Sequence, residues 1–427
     1  MGREGLDGPS HFLSHQPALA IRAALPVRCL RDQRRPMPLQ AILAGRAFTP
    51  HEEIPDAVIL VEDGKIGAVG RRDQVSIPAG ARRYEARTLT IAPGFVDVHI
   101  HGAGGHDVME GTAQALAAVT STVARHGTTS LVATTVTASA EHTCRAVAGI
   151  AQWIESHREP PAGHTPQAEI LGIHFEGPFI SPARRGVHPP EWIVLPSVDL
   201  LQTLAAAARG TGRILTLAPE LPGALELISA ARQVGLVVSL GHTDASYAEA
   251  MSAIERGARH AAHVFNAMRP FEHRETGVLG AVLTSPAVTA ELIADGVHVD
   301  AAAMRLLLAA KASRDVILVS DGTSATGMPD GTYRLGTFEV AVSGGVCRSA
   351  EGKLAGSTLT LDRALRNMVA LGVTLADALS MLTSNPARLL GLEGRKGAIV
   401  PGADADVVLL DAQLAVAGVM TRGTGIS

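Results

Sequence analysis

Between residue 91 and about residue 395, short apolar runs alternate with helix-length stretches, and this alternation limits the fold more than any other feature of the chain. Eight runs read as buried strands: Ile91–Val98, Ser130–Ala133, Glu169–Phe175, Ile214–Ala218, Leu236–Leu240, His260–Val264, Val288–Ala294 and Val316–Ser320. Strands covered on both faces read as continuous apolar runs of this kind. Helical stretches lie between most of them, among them Ala113–His126, Ala138–Ser156, Gly223–Val234, Ser246–Gly257 and Asp300–Ser313. Eight βα units in this length predict an α/β fold, a TIM (β/α)8 barrel. The alternative is a doubly wound sheet, whose G-x-G-x-x-G loop between strand and helix is absent.

What ends each run points to function. The first ends at His99 and His101, the second at Thr134 and Thr135, the third at His174 and Glu176, and the fourth at Glu220. His242 follows the fifth, His263 lies in the sixth, Asp295 and His298 follow the seventh, and Asp321 follows the eighth. Barrel enzymes build their sites at the C-terminal ends of the strands, and packing alone would not place polar groups there so regularly.

The flanks read differently. Residues 41–49, 57–70 and 82–94 alternate apolar and polar residues between turn signals such as Glu62-Asp63-Gly64, as short strands do. Residues 394–413 read again as strands and turns, with Val407–Leu410 a short buried run. The end of the chain is expected to return and complete the first segment. This gives a small discontinuous β-sandwich domain, 38–92 plus 395–427, beside a barrel over 93–394. Residues 1–36 carry six arginines and lack the apolar core of a secretory signal. An orderly pattern begins at Met37, so 1–37 are expected to be a disordered extension or the product of an upstream start codon.

Composition excludes several classes. A net charge of −4 gives no basic footprint for nucleic acid. No run of 18 apolar residues suggests a membrane span. Three scattered cysteines, Cys29, Cys144 and Cys347, form neither a disulfide framework nor a metal cluster.

The chemistry is carried by histidines and acids. Along a strand, residues i and i+2 face the same side, so His99 and His101 present two imidazoles to one place, as metal ligands would. Glu176 follows a buried strand and precedes a Gly177-Pro178 turn, a poor place for a solvated acid. His242 and His263 add two imidazoles. One Glu and two His form an N/O set suited to zinc or iron. Asp321 ends a buried run, and although Asp-Gly is also a turn dipeptide, a carboxylate beside metal-activated water is a natural proton acceptor. A metal lowers the pKa of water from ~15.7 toward about 7, which suits hydrolysis of an amide or related C–N bond without a Ser or Cys nucleophile. His174 reads as a buried, satisfied histidine or as support behind the ligands, and His260 as structural. Taken alone, Arg274 in its polar loop and His188 in another carry little signal, and His298, after Asp295-Gly296, carries more.

Longer stretches resemble a known family. PGFVDVHIHGAGG (93–105), GIHFEGPFISPARRGVHP (172–189), GHTDAS (241–246), HVFNAM (263–268), IADGVHV (293–299), SDGTSATGMPDGTYRLG (320–336), LAGSTLTLDRALRN (354–367) and NPARLLGLEGRKGAIVPGADADVVLLD (385–411) occur in order. They are similar to the amidohydrolase superfamily and, within it, to the N-acetylglucosamine-6-phosphate deacetylases. The resemblance implies a cytoplasmic, metal-dependent hydrolase of amino sugar catabolism and cell-wall recycling. It implies that Glu176, His242 and His263 hold the principal metal and that Asp321 is the general base and acid. It implies that His298 contacts the sugar and polarises the acetyl carbonyl, and that Asn266, Ala267 and Arg274 meet the phosphorylated sugar. Val187, His188, Leu354, Ala355 and Gly356 would line the pocket. Arg274 would come from a neighbouring subunit, which implies a homodimer. Some members lack H-x-H and use one metal; this chain keeps His99 and His101, so a second metal bridged by Glu176 is expected to be possible. Zinc leads, with iron, manganese and cobalt also compatible.

Two other readings compete. One is a different amidohydrolase, such as a cyclic-amide hydrolase or a deaminase. Many binuclear members bridge their metals with a carboxylated lysine, but no lysine lies between 66 and 310. Glu176 would take that role, which favours the deacetylase. The other is a non-catalytic sugar-phosphate-binding barrel, which would be expected to lose ligands that are all present here. The epimer, gluco or galacto, is not legible.

Overall fold

Gly94 divides a run that the sequence presents as one strand. Residues Arg82–Pro93 belong to an outer sheet, and Phe95–Ile100 form the first strand of a barrel. A Cβ at Gly94 would lie 2.0 Å from the Thr129 hydroxyl oxygen, so only glycine lets the chain turn there. The expected strand Ile91–Val98 spans both pieces because both are buried, and burial hides the break from hydrophobicity alone. The structure, a computed structural model, describes residues 39–159 and 165–426. The extension expected over 1–37 lies outside them.

The other barrel strands are Thr128–Thr135, Glu169–Glu176, Gly212–Leu217, Val237–Leu240, His260–Ala261, Thr289–Leu292 and Val316–Leu318. They pair in chain order, all parallel. Ile100 bridges to Gly322 to close the ring. The backbone N–H of His101 donates to the Gly322 carbonyl at 2.8 Å, and that of Asp321 to the His99 carbonyl at 2.9 Å. The seam of the barrel therefore runs through three of the candidate site residues.

A helix follows each strand: Ala113–Ala124, Ala140–Ser156, Val198–Ala207, Ala224–Gln233, Tyr247–Arg256, Gly277–Thr284, Ala301–Ala310 and Leu361–Ala370. Local chemistry sets their ends. Ser246 Oγ accepts from the N–H of Glu249, whose carboxylate accepts from the N–H of Ser246, a reciprocal cap, and Gly257 stops that helix with φ 119°. Between the eighth strand and its helix sits a three-stranded antiparallel insert, Gly331–Leu335, Phe338–Ser343 and Val346–Ser349. Its alternation is too short to have been read from the sequence.

Strands from both ends of the chain share one six-stranded sheet. Its order is Val416–Met420, Val407–Leu410, Arg82–Pro93, Gln40–Phe48, Glu53–Glu62, Lys65–Arg71. Apolar side chains pack on both faces, Ile42, Ala44 and Ile59 in one cluster, Ala41, Leu43 and Val58 in another. A buried ion cluster joins this end of the chain to the N-terminal end of the third barrel strand. Lys396, 1% exposed, meets Asp406 at 2.7 Å, Glu169 at 2.7 Å and Asp404 at 3.0 Å.

Candidate active site

The polar strand ends converge. Glu176, at the end of the third strand, receives four imidazoles from three other strand ends and one from a loop. Its Oε1 lies 3.2 Å from His99 Nε2, 3.2 Å from His242 Nε2 and 3.0 Å from His263 Nε2. Its Oε2 lies 3.4 Å from both His101 Nε2 and His188 Nε2. Asp321 Oδ1 is 3.1 Å from His101 Nε2 and 3.7 Å from His99 Nε2. All seven residues are buried.

The far side of three of these rings fixes the tautomer. His101 Nδ1 lies 3.0 Å from the Thr134 carbonyl, His242 Nδ1 3.0 Å from the Arg184 carbonyl, and His99 Nδ1 2.8 Å from Glu291 Oε2. Carbonyls and carboxylates only accept, so Nδ1 carries the proton in each. In the neutral rings three Nε2 lone pairs then face a carboxylate, and lone pairs at 3.2–3.4 Å repel unless a cation lies among them. His99 Nε2 is buried without a hydrogen-bond donor or acceptor. His242 and His263 Nε2 are 3.1 Å apart. In a tetrahedral site with bonds of about 2.0–2.1 Å, ligand atoms stand about 3.3 Å apart. The donor set and its spacing fit a divalent cation held by Glu176, His242 and His263, with His99, His101 and Asp321 grouped closely enough to hold a second.

Electrostatics follow the same layout. Burial pushes the Glu176 carboxyl up, but the imidazoles around it, His99 first and then His188, His242 and His263, outweigh it and hold it well below the usual carboxylate range. Asp321 is lowered against its burial by His101, His99 and His263. Burial depresses His242 to about 4, aided by His188. Four non-glycine candidate site residues hold left-handed backbone, His242 at φ 48°, His263 at φ 27°, Ala267 at φ 51° and Asp321 at φ 48°. Such conformations cost about 1–3 kcal/mol each and gather at functional sites.

Above this cluster lies a cavity of about 700 Å³ including its mouth, lined by His101, Glu176, Val187, His188, His242, His263, Asn266, Ala267, His298, Asp321, Leu354 and Gly356. Gly356 holds φ 57°, and a Cβ there would lie 2.9 Å from the Asp321 carbonyl oxygen, so glycine lets the Leu354–Gly356 loop close against Asp321. His298 Nδ1 is 2.7 Å from Asp295 Oδ2, while Asp295 Oδ1 accepts from the N–H groups of Val297 and His298 at 2.8 Å each. Burial raises Asp295, but these hydrogen bonds outweigh it and keep the carboxylate ionised.

Other expected positions fall elsewhere. His99 lies behind the cavity wall, and Ala355 is fully buried. Arg274 is exposed and does not line the cavity of its own chain. His174 supports from below, its Nδ1 3.1 Å from the Val98 carbonyl and its Nε2 2.7 Å from the Thr216 hydroxyl. Burial depresses it to about 3, with His99 adding to the shift. Glu220 accepts from the Asp244 N–H at 2.7 Å and the Thr243 hydroxyl at 2.5 Å, pinning the loop after His242. Sequence reasoning missed the cavity residues Val136, Gly186 and Leu335. It also missed Glu291, whose signal was available: an acid inside the apolar seventh strand.

The amidohydrolase family model matches residues 90–424. The N-acetylgalactosamine-6-phosphate deacetylase of Escherichia coli O157:H7 is 39% identical over 89% of this chain and 97% of its own length. The N-acetylglucosamine-6-phosphate deacetylase of Bacillus subtilis strain 168 is 36% identical over 88% of this chain and 94% of its own. Among solved structures, a mutant N-acetyl-D-glucosamine-6-phosphate deacetylase from Mycobacterium smegmatis, in complex with N-acetyl-D-glucosamine 6-phosphate, superposes with a TM-score of 0.84 at 36% identity. It covers 91% of this chain and 99% of that one.

Proposed function

Because the chain belongs to the amidohydrolase family, we propose that it hydrolyses the acetamide of N-acetyl-D-glucosamine 6-phosphate to D-glucosamine 6-phosphate and acetate. The observation that carries the chemistry is the convergence of imidazole lone pairs on Glu176 with Asp321 at the rim. Deacetylase relatives, each covering most of this chain, support the substrate class. The galacto epimer is a second reading, favoured by the 39% identical relative.

Glu176, His242 and His263 would hold one divalent cation, zinc first among the candidates, and His99 and His101 a second. A bound cation supplies Lewis acidity and lowers the pKa of water toward about 7. Asp321, ionised and facing the ligands, takes the proton of the attacking water and returns it to the leaving nitrogen. His298, anchored by Asp295, polarises the acetyl carbonyl. Asn266, Ala267, Val187, His188 and the Leu354–Gly356 loop seat the sugar. Arg274 serves the phosphate of a neighbouring subunit's site in a homodimer, which accounts for its exposure here. The reading places the enzyme in amino sugar catabolism in the cytoplasm.

The test is acetate release by metal-loaded protein from three compounds: N-acetylglucosamine 6-phosphate, its galacto epimer and unphosphorylated N-acetylglucosamine. Turnover of the phosphorylated gluco sugar above the other two supports the reading. Preference for the galacto epimer replaces it with the second reading, and no acetate from any of them rejects both.

A further inference from the structure

Glu291 is an acid with no exposure, set in the middle of the seventh barrel strand. Burying a carboxylate is costly unless every oxygen is paired. Here both are. Oε2 accepts from His99 Nδ1 at 2.8 Å and from the backbone N–H of His263 at 2.9 Å. Oε1 lies 2.8 Å from His260 Nε2, and the other nitrogen of His260 lies 2.7 Å from the Thr289 hydroxyl. One oxygen thus touches both a ring of the H-x-H pair and the backbone of a ligand from the sixth strand.

We propose that Glu291 is the positioning residue that joins the two arms of the cation site. It locks His99 as the Nδ1–H tautomer with Nε2 turned toward Glu176, and it fixes the left-handed backbone of His263 through the same oxygen. His260, backed by Thr289, holds the carboxylate in place from the other side. An acceptor behind a ligating imidazole sets ring orientation and raises its basicity, and loss of such a partner costs roughly 10- to 100-fold in metal affinity. This inference rests on the reading of the site as a cation site, but not on the identity of the substrate.

The experiment challenges zinc-loaded full-length protein with graded chelator and records zinc retained per chain, with acetate release measured in parallel. Glu291→Gln is expected to lose zinc at a chelator concentration about 10- to 100-fold lower than wild type. In a His99→Asn background the same change should shift zinc retention by a smaller factor than in wild type, since the His99 arm is already lost and only the His263 arm remains. A general packing defect would instead lower retention equally in both backgrounds, and that result overturns the proposal, as does wild-type zinc retention in Glu291→Gln. Thermal melting of the variants separates misfolding from loss of metal. Glu291→Asp, which keeps the charge and withdraws it from His99, gives the same comparison if the Gln variant does not fold. Should wild type retain zinc but release no acetate, the substrate reading fails while this comparison still decides the role of Glu291.

Discussion

Glu176 Oε1 lies 3.0 Å from His263 Nε2, and the two residues come from the third strand and from just after the sixth. A carboxylate and an imidazole so placed, with His242 completing the triangle, bind a cation better than they bind each other. Removing the metal should therefore abolish acetate release and lower the melting temperature. A ligand at 100 times its Kd adds about 2.7 kcal/mol to stability. His263→Ala should behave like the stripped protein. Calorimetry with and without added zinc checks both statements, and an unchanged melting temperature would count against a metal centre.

Lys396 should matter for stability and not for chemistry. It neutralises Glu169, Asp404 and Asp406 at the end of the barrel opposite the cavity. Lys396→Met leaves the buried Asp406 without its cation, at a cost of about 3–5 kcal/mol. Urea unfolding should show that loss, while turnover per folded molecule stays at the wild-type level.

The same cluster predicts acid sensitivity. Burial raises Asp404, but Lys396, Lys65 and Arg395 outweigh it and bring its pKa down to about 2 from an ordinary 3.8. A carboxyl depressed in the folded state stabilises fully above its unfolded value. That stability is lost as pH falls through the folded value. Wild type should thus lose more stability than Asp404→Asn between about pH 4 and pH 2, as read by denaturant midpoints across that range.

Arg274 offers a test of the dimer. If it serves the neighbouring site, mixing Arg274→Ala with Asp321→Asn yields heterodimers with one intact site. Refolded mixtures should then recover turnover that neither parent has. Failure to recover it in verified heterodimers would return Arg274 to an ordinary surface role.

The barrel was legible because strand burial on two faces and helix spacing both leave marks on one-dimensional sequence. His242, His263 and Glu176 could be proposed as ligands from sequence because each breaks an apolar run at the same end. What was not legible depended on tertiary closure. The break at Gly94 lies inside continuous apolar sequence. His188 joins the Glu176 cluster only when its loop folds over the barrel mouth, where its Nδ1 meets the Thr137 hydroxyl at 2.8 Å. Leu335 reaches the cavity from an insert whose strands are five, six and four residues long. Glu291 left a signal, an acid inside an apolar strand, but its partners His99 and His263 are brought to it only by the closed barrel.

Asp321→Asn is the most direct test of the claim that this is a hydrolase working through a carboxylate beside its cation. Zinc content and acetate release from N-acetylglucosamine 6-phosphate would be measured on the same preparation. The account predicts near wild-type zinc at the principal site and a turnover lower by on the order of 10²–10⁴. Wild-type turnover in the zinc-loaded variant would contradict it.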